Sequence, residues 1–288
     1  DYNAFKNKDW SVSVGANATF VKNKIKNLPA TMKENGYISG SKKWLEGKSI
    51  YEFWLRQWHG VDPQTGDGLY VADVSKYNQG NIGTGDGNIT QSQFDEYKKT
   101  VVTIDGKELT NSYTYAKYDF SGSSIPDVFG GFNVRVSYKN FDLAAVFSYQ
   151  LGGQVLDTNY ATMMSMTEFG YAQSPDLLKA WKQAGDITEV PRIDNSAAHT
   201  TNIGQSYSTR WLTSSDYLNL RSVTIGYQFP KAWLSKVMLK SARLNLTAEN
   251  LFMLKARQGL NPMANYSGVT YNEYMPSRNI TLGLNVSF

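Results

Sequence analysis

The sequence contains no cysteine and two histidines, His59 and His199. The absence of cysteine excludes disulfide bonds, zinc–thiolate sites and cysteine nucleophiles in these 288 residues. Two histidines are too few for a three-histidine metal site. The charge is mild as well, because 29 Lys and Arg stand against 25 Asp and Glu without basic runs. The composition therefore does not favour nucleic-acid binding.

Long hydrophobic runs are also missing, since none approaches the roughly 18 apolar residues of a transmembrane helix. The sequence starts Asp1-Tyr2-Asn3-Ala4 without a signal-peptide pattern. We interpret it as a mature chain or a piece of a longer one. Aromatic residues are abundant at 14%, and there are 24 glycines. This composition is typical of an all-β protein, either soluble or in an outer membrane.

Apolar and polar residues alternate with period two in several segments, which is the pattern of a strand with one apolar face. The C-terminal example places Ile280, Leu282 and Leu284 opposite Thr281 and Gly283. The strands predicted in this way are 10–22, 49–59, 131–140, 141–152, 216–229, 241–254 and 279–288, of which 49–59 is the weakest.

Two architectures fit this pattern, a soluble sandwich and an outer-membrane barrel. Three features favour the barrel: strands of about ten residues or more, against a usual five or six; aromatic residues at the ends of the apolar faces; and connections that alternate between short and long. Lys139-Asn140 and 230–240 are short, whereas 60–130, 153–215 and 255–278 are long. In a barrel the apolar faces meet lipid and the polar faces line the lumen. We predict lipid contact for Val12, Val14, Ala145, Leu244 and Leu284, and a lumenal position for Ser13, Asn17, Arg135 and Asn285.

Short turns are expected on the periplasmic side, so strands 10–22 and 131–140 run downwards and strand 49–59 runs upwards. One aromatic girdle is then expected at the periplasmic end, formed by Tyr138, Phe141, Tyr227, Phe229 and Phe288. The predicted strands number seven, with residue 1 outside the cell. Bacterial single-chain barrels have even strand numbers. We therefore interpret the chain as the C-terminal part of a larger barrel, the alternative being a miscounted eight-stranded one.

Several segments resemble the C-terminal third of SusC/RagA-type TonB-dependent transporters of Bacteroidota. The matching segments, in order along the chain, are Glu46-Gly-Lys-Ser-Ile-Tyr-Glu-Phe-Trp, Gly60-Val-Asp-Pro-Gln-Thr-Gly-Asp, Ile125-Pro-Asp-Val-Phe-Gly-Gly-Phe, Tyr149-Gln-Leu-Gly-Gly-Gln-Val, Tyr217-Leu-Asn-Leu-Arg-Ser-Val-Thr-Ile-Gly-Tyr, Glu249-Asn-Leu-Phe and Arg278-Asn-Ile-Thr-Leu-Gly-Leu-Asn-Val-Ser-Phe. Each segment alone is a weak signal, but their number and order make the resemblance specific.

The resemblance implies an all-β fold: about seven antiparallel C-terminal strands of a 22-stranded transmembrane barrel with long extracellular loops. Residues 1–288 would form this portion, with the plug domain and the earlier strands outside the sequence. It further implies TonB-dependent import of an oligosaccharide or oligopeptide across the outer membrane, without a cofactor. The implied partners are a SusD-like lipoprotein lid, TonB, the rest of the barrel, lipid and a second transporter–lipoprotein pair. A passive porin and a soluble carbohydrate-binding sandwich are the alternatives. No Gly-x-Ser-x-Gly motif occurs, and we expect no enzymatic function.

Four aromatic or basic residues are candidates for substrate contact. Trp54, Arg56 and Trp58 share the predicted lumenal side of strand 49–59, and Trp211 lies in a long loop. Aromatic faces stack on sugar rings or peptide side chains, and arginine binds acidic groups. The alternative for the first three is packing against the plug.

The segment Ser174-Pro-Asp-Leu-Leu-Lys-Ala-Trp-Lys-Gln-Ala-Gly185 predicts a short helix that begins after Ser174 and stops at Gly185. Leu177, Leu178 and Trp181 would form one face for a partner, or would pack on their own loop.

Phe288 is a candidate assembly signal or a girdle residue. Asp86 is a weak calcium candidate in a loop that resembles an EF-hand but has Ile82 first and Gln93 twelfth, where calcium needs carboxylates.

The loops 60–130 and 153–215 are long and rich in aromatic residues, among them Tyr70, Tyr77, Tyr113, Tyr115, Tyr171, Trp181 and Trp211. Loops of this length are functional or disordered, and the aromatic content argues against disorder. We expect them to bury a large surface against the lid.

Overall fold

The computed structural model describes residues 2–166, 170, 172–205 and 207–288. Its strands, in chain order, are β1 Tyr2–Lys6, β2 Trp10–Phe20, β3 Tyr37–Ser39, β4 Lys42–Trp44, β5 Glu52–Arg56, β6 Trp58–Val61, β7 Gly68–Val71, β8 Val101–Ile104, β9 Lys107–Thr110, β10 Tyr118–Ser123, β11 Val128–Tyr138, β12 Phe141–Leu151, β13 Gln154–Leu156, β14 Leu212–Ser214, β15 Tyr217–Gln228, β16 Ser241–Glu249, β17 Met253–Lys255 and β18 Asn279–Ser287. Its α-helices are α1 Gln91–Thr100, α2 Thr158–Met163, α3 Ala197–Ile203 and α4 Lys231–Leu234. The predicted residue Tyr171 lies outside the described residues.

The long strands form one antiparallel sheet in the order β1-β2-β11-β12-β15-β16-β18, and β17 pairs with β15 beyond the end of β16. We call it the main sheet. Strands β11 and β12 each have eleven residues and are paired with each other along their whole length. This sheet confirms the prediction of long antiparallel strands.

Residues paired across the main sheet lie on the same face, so the alternation in each strand extends over the whole sheet. Val12 lies opposite Val136, and Ala145 lies opposite Val223. Leu244 lies opposite Leu284. The predicted lipid-facing residues therefore share one face, which we call the apolar face, and the other face carries the predicted lumenal residues.

No part of the chain that the structure describes covers the outer strand β18 on the apolar face. Ile280, Leu282 and Leu284 remain 71%, 69% and 60% exposed. Aliphatic surface of this extent is unfavourable in water, at roughly 25 cal/mol per Å². The uncovered face is what lipid contact requires.

On the opposite, polar face, Arg243 forms an ion pair with Asp142, with Nη2 2.6 Å from Oδ2. The two residues belong to β16 and β12, so the pair crosses the intervening strand β15 at Gly226. A Cβ at Gly226 would lie 2.4 Å from the Arg243 guanidinium. The glycine thus provides the space in which the charges meet.

The aromatic girdle is present at the end of the main sheet where the short turns lie. Tyr138, Phe141 and Tyr227 are direct neighbours in register. The rings of Phe141 and Tyr227 are 4.5 Å apart, and those of Tyr227 and Phe229 are 5.1 Å apart. Lys139 adopts the left-handed conformation, φ 51°, in the predicted turn.

Segment 49–59 does not belong to the main sheet, and that prediction was wrong. Its residues form β5 and β6 in two smaller sheets, and the main sheet contains β1 instead. Because β2 pairs antiparallel with β11, it also runs in the direction opposite to the predicted one. Strand 241–254 is interrupted as well, because Asn250 takes a left-handed φ of 51° between β16 and β17.

The described residues of the segments 21–127, 152–216 and 256–278 fold together at the other end of the main sheet, and we call them the cap. The cap contains the sheets β10-β5-β4-β3, β6-β7-β9-β8 and β13-β14. One core contains Phe53, Leu55, Leu156 and Trp211, and a second is built on Tyr77, Tyr97 and Tyr115. The long loops are thus a folded structure with its own cores.

None of the helices in the described part of the chain is long and apolar enough to cross a membrane.

Candidate functional site

Strand β5 places the first two candidate residues on the less buried of its two faces. Phe53 and Leu55 are fully buried in the cap core, whereas Trp54 and Arg56 alternate with them and are partly exposed. Part of the predicted strand 49–59 is therefore a strand with two different faces, although Trp58 belongs to the separate strand β6. The polar face of β5, however, belongs to the cap and does not line the inside of the main sheet.

Trp54 and Arg56 pack against the neighbouring strand β10. The Trp54 ring stacks on Tyr118, 6.2 Å between centroids, and meets Phe120 edge-on at 4.9 Å. The Arg56 guanidinium lies 4.6 Å from the centroid of Tyr118, and its Nε donates to the carbonyl of Tyr113 at 2.9 Å. These contacts hold both side chains within the cap.

Trp58 and Trp211 are brought together by a residue that the sequence analysis did not select. Arg210 places its guanidinium carbon 4.7 Å from the Trp58 ring centroid and 4.3 Å from that of Trp211. A guanidinium next to aromatic rings is favourable because the ring quadrupole attracts the cation. We call these three residues the arginine–tryptophan cluster.

The cluster is held in position from several elements. The backbone N–H of Trp58 donates to Thr209 Oγ1 at 2.9 Å, and Trp211 Nε1 donates to the carbonyl of Gln205 at 2.9 Å. A Cβ at Gly68 would lie 2.5 Å from the Trp58 ring. A glycine at this position therefore lets the indole lie against strand β7.

A cavity of about 330 Å³ opens beside the cluster, and we call it the cap pocket. It is lined by Trp58, Arg210, Trp211, Tyr160, Thr188 and Glu189, among others. Burial lowers the pKa of Arg210 to about 10, because desolvation disfavours its charged form. The guanidinium still remains charged at neutral pH.

Sequence reasoning could not find Arg210, because it lies in a loop without periodicity. The one available signal was its position directly before Trp211. Tyr160 was missed as well, because helix α2 has only six residues and shows no clear period. Its ring meets Trp211 edge-on at 5.8 Å, and its hydroxyl donates to Asp176 Oδ2 at 2.8 Å.

A second cavity, about 230 Å³, lies where the cap meets the main sheet. Amide side chains line it, including Gln150, Gln154, Asn261 and Asn265. The Gln154 Oε1 atom is buried without a partner in the described structure. Such a lining offers both donors and acceptors to a polar ligand.

The three predicted partner residues do not form one face, so that prediction was wrong. The helix is a 3₁₀ helix over Pro175–Lys179, with Ser174 as its N-cap, and it ends well before Gly185. Leu177 packs against the cap core, and Leu178 is 79% exposed. Trp181 lies beyond the helix and donates from Nε1 to the carbonyl of Pro63 at 2.9 Å.

The remaining candidates are Asp86 and Phe288. In the loop of Asp86, Thr90 and Gln93 form a capping box at the start of α1, which accounts for two residues of the calcium-like pattern. No group of three or more His, Asp or Glu residues that could hold a metal ion occurs among the residues the structure describes. Phe288 is exposed directly after β18, and its role in assembly stays a prediction.

Comparison with known proteins confirms the predicted resemblance. The chain is 26% identical over 300 residues to TonB-dependent receptor P3 of Formosa agariphila, and 24% identical over 333 residues to TonB-dependent receptor P39 of the same organism. Each alignment covers 98% of this chain but 27% and 30% of the relatives. The chain thus spans less than a third of the curated relatives' length. No family model matches the sequence.

Solved structures with the same fold also match the chain. The RagAB peptide transporter matches with a TM-score of 0.73 at 22% identity, covering 99% of this chain and 28% of that one. The RagAB peptide importer in the "closed-closed" state matches with a TM-score of 0.74 at 24% identity, with the same coverage. These matches confirm the predicted fold class, and the relatives found are receptors and importers.

Proposed function

We propose that the protein is part of a TonB-dependent importer that moves a large nutrient, an oligosaccharide or an oligopeptide, across the outer membrane. The observation that carries this proposal is the uncovered apolar face of the main sheet, with Leu282 69% exposed, joined to a cap that has its own buried cores. Lipid can cover the apolar face, and water can surround the cap. The likeness to RagAB over 99% of the chain supports the same function.

In this proposal residues 1–288 supply the C-terminal strands of the barrel. The open edges β1 and β18 pair with further strands, because lipid cannot satisfy unpaired backbone groups. A plug in the remainder of the protein couples to TonB, which provides the energy. No bond is made or broken, and import depends on differential binding of the nutrient to open and closed states.

We further propose that the cap binds a SusD-like surface lipoprotein that closes over the nutrient. Leu178 is the predicted partner residue that remains available, because Leu177 and Trp181 pack within the cap. The candidates Trp58 and Trp211 reach the nutrient through the cap pocket, whereas Trp54 and Arg56 support the cap. A pair of such transporter–lipoprotein units is the expected assembly.

Uptake measurements in cells test the import function. Cells that produce the full-length protein are given a mixture of labelled oligopeptides and oligosaccharides, with and without TonB. We expect uptake of one class, and its loss without TonB. Uptake that continues unchanged without TonB would contradict the proposal and indicate a passive pore.

Extraction in mild detergent tests the partner. We expect a second polypeptide to co-purify with the transporter, and Leu178→Ser to weaken that association without lowering the unfolding midpoint. The matched variant Leu177→Ser removes a packed side chain and is expected to lower the midpoint instead. A transporter that purifies alone, with Leu178→Ser and deletion of 174–185 both leaving uptake unchanged, would contradict the lid.

A further inference from the structure

The guanidinium of Arg210 has few partners for a largely buried cation. It offers five N–H donors, and the acceptor found in the described structure is the carbonyl of Ile203, 3.1 Å from Nη1. Among the described carboxylates none forms an ion pair with it, although Arg192, Arg243 and Arg257 each have at least one. A buried charge without a counter-charge is costly, so this arrangement calls for an explanation.

The two tryptophans determine where a further acceptor could approach. Their rings lie beside the guanidinium at 4.7 and 4.3 Å, and the Ile203 carbonyl accepts from Nη1. A carboxylate can accept two parallel hydrogen bonds from the N–H groups that remain.

The cap pocket provides the space for such a group. Its volume of about 330 Å³ corresponds to about ten water molecules at roughly 30 Å³ each, which is enough for one sugar or one amino-acid residue. Glu189 also lines the pocket, but its side chain is exposed and does not pair with Arg210 among the described ion pairs. The pocket therefore combines one fixed cation with aromatic walls.

We propose that the cap pocket binds a carboxylate of the imported nutrient, with Arg210 as its ligand and Trp58 and Trp211 as the walls that orient it. The carboxylate comes from the C-terminus or an acidic side chain of an oligopeptide, or from a uronic acid of an oligosaccharide. This inference rests on the proposed import function, because it names the substrate class of that function.

Binding to the purified full-length protein in detergent tests the inference without TonB. The probes are a mixed oligopeptide digest, the same digest with its carboxyl groups converted to amides, a mixture of oligouronides, and the same mixture with its carboxylates reduced to alcohols. We expect one of the two acidic mixtures to bind and its neutral counterpart to bind at least about tenfold more weakly, as charge-assisted hydrogen bonds contribute more than neutral ones. The mixture that binds identifies the source.

Variants of Arg210 test whether this residue causes the difference in binding between acidic and neutral mixtures. Arg210→Gln is expected to reduce the affinity for the acidic mixture at least about tenfold, and Arg210→Lys to restore part of it, because lysine keeps the charge but not the planar fork. Lys98→Gln removes one exposed charge from helix α1 and is the matched control, with no expected change. The unfolding midpoint of each variant shows whether the cap is intact.

Equal binding of acidic and neutral mixtures by the wild-type protein would overturn the inference, and this comparison does not depend on how any variant folds. Unchanged binding by a folded Arg210→Gln protein would overturn it too. Loss of uptake without TonB tests import and not this site, so failure of the two proposals can be distinguished.

Discussion

Lys42 is a buried lysine at the start of β4, with Nζ 3.1 Å from the centroid of the Phe53 ring. The ammonium group donates to the carbonyl of Tyr51 at 2.9 Å and to Ser124 Oγ at 3.3 Å. Burial lowers the pKa of Lys42 from 10.5 to about 7, and the charge of Glu52 opposes this shift. The folded protein therefore binds the Lys42 proton less tightly than the unfolded chain.

A pH dependence of stability follows from this shift. Between about pH 7 and 10.5 the unfolded chain holds the proton and the folded protein does not, so the free energy of unfolding rises with pH, by at most about 1.4 kcal/mol per unit. We expect Lys42→Met to remove this rise and Lys43→Met, its neighbour, to keep it. Unfolding midpoints of the detergent-solubilised protein between pH 7 and 10 measure it, and a midpoint that falls or stays level for the wild type would contradict the prediction.

Gly226 leads to a second prediction for a single residue. A methyl group there must displace either the Arg243 guanidinium or the Asp142 carboxylate, since a Cβ would lie 2.4 and 2.6 Å from them. We expect Gly226→Ala to cost on the order of 1 kcal/mol of stability, the size of a typical hydrogen bond. Gly283→Ala is the matched control. Gly283 lies on strand β18, on the same face of the main sheet as Gly226, and no atom lies within 4 Å of the added Cβ.

The comparison is repeated in a background without the ion pair, Asp142→Asn with Arg243→Gln. The cost of Gly226→Ala should become smaller there, because the crowded charged groups are gone. Urea unfolding measures the stability of each background with and without Gly226→Ala, which makes four proteins. An equal cost in both backgrounds would show that Gly226 is needed for another reason.

The alternation of residues in the strands of the main sheet predicts which side chains water can reach. Single cysteines at Val12, Val14, Ala145, Leu244 and Leu284 should resist a water-soluble thiol reagent in the membrane, and those at Ser13, Asn17, Arg135 and Asn285 should react. The native sequence is convenient here because these 288 residues contain no cysteine. Reaction of the first set without the second would contradict lipid contact of the apolar face.

The alternation of apolar and polar residues predicted six of the long strands from the sequence. It failed at β5 because Tyr51, Phe53 and Leu55 alternate equally well in a strand of the cap, and period two does not indicate which sheet a strand joins. Strand β1 was missed because five residues, Tyr2–Lys6, are too few to establish a period. Partner strands, and hence direction, come from long-range pairing that a local pattern does not contain.

The site was predicted less completely than the strands. Residue type was enough to select Trp58 and Trp211. Arg210 could not be predicted, because its role arises from a contact between segments about 150 residues apart, as in the hydrogen bond from Trp58 to Thr209. The faces of the 174–185 segment were also misjudged. A helical pattern was assumed, whereas the chain forms one short 3₁₀ helix that ends at Lys179.

Taken as a molecule, the chain has two ends with different chemistry. One end carries the short turns and the aromatic girdle, and the other carries the cap with its buried cores and pockets. In the proposed function the cap lies outside the cell, the short turns lie in the periplasm, and lipid surrounds the main sheet between them. The proposal requires this orientation, because the nutrient and the lid protein would reach the cap from outside.

Labelling of intact cells with a membrane-impermeant thiol reagent tests this placement most directly. Ser92→Cys is exposed on helix α1 of the cap, and Ser235→Cys is exposed in the short connection between β15 and β16. We predict that Ser92→Cys reacts in intact cells and that Ser235→Cys reacts after the outer membrane is opened. Reaction of Ser235→Cys but not Ser92→Cys in intact cells, or equal reaction of both, would contradict the account.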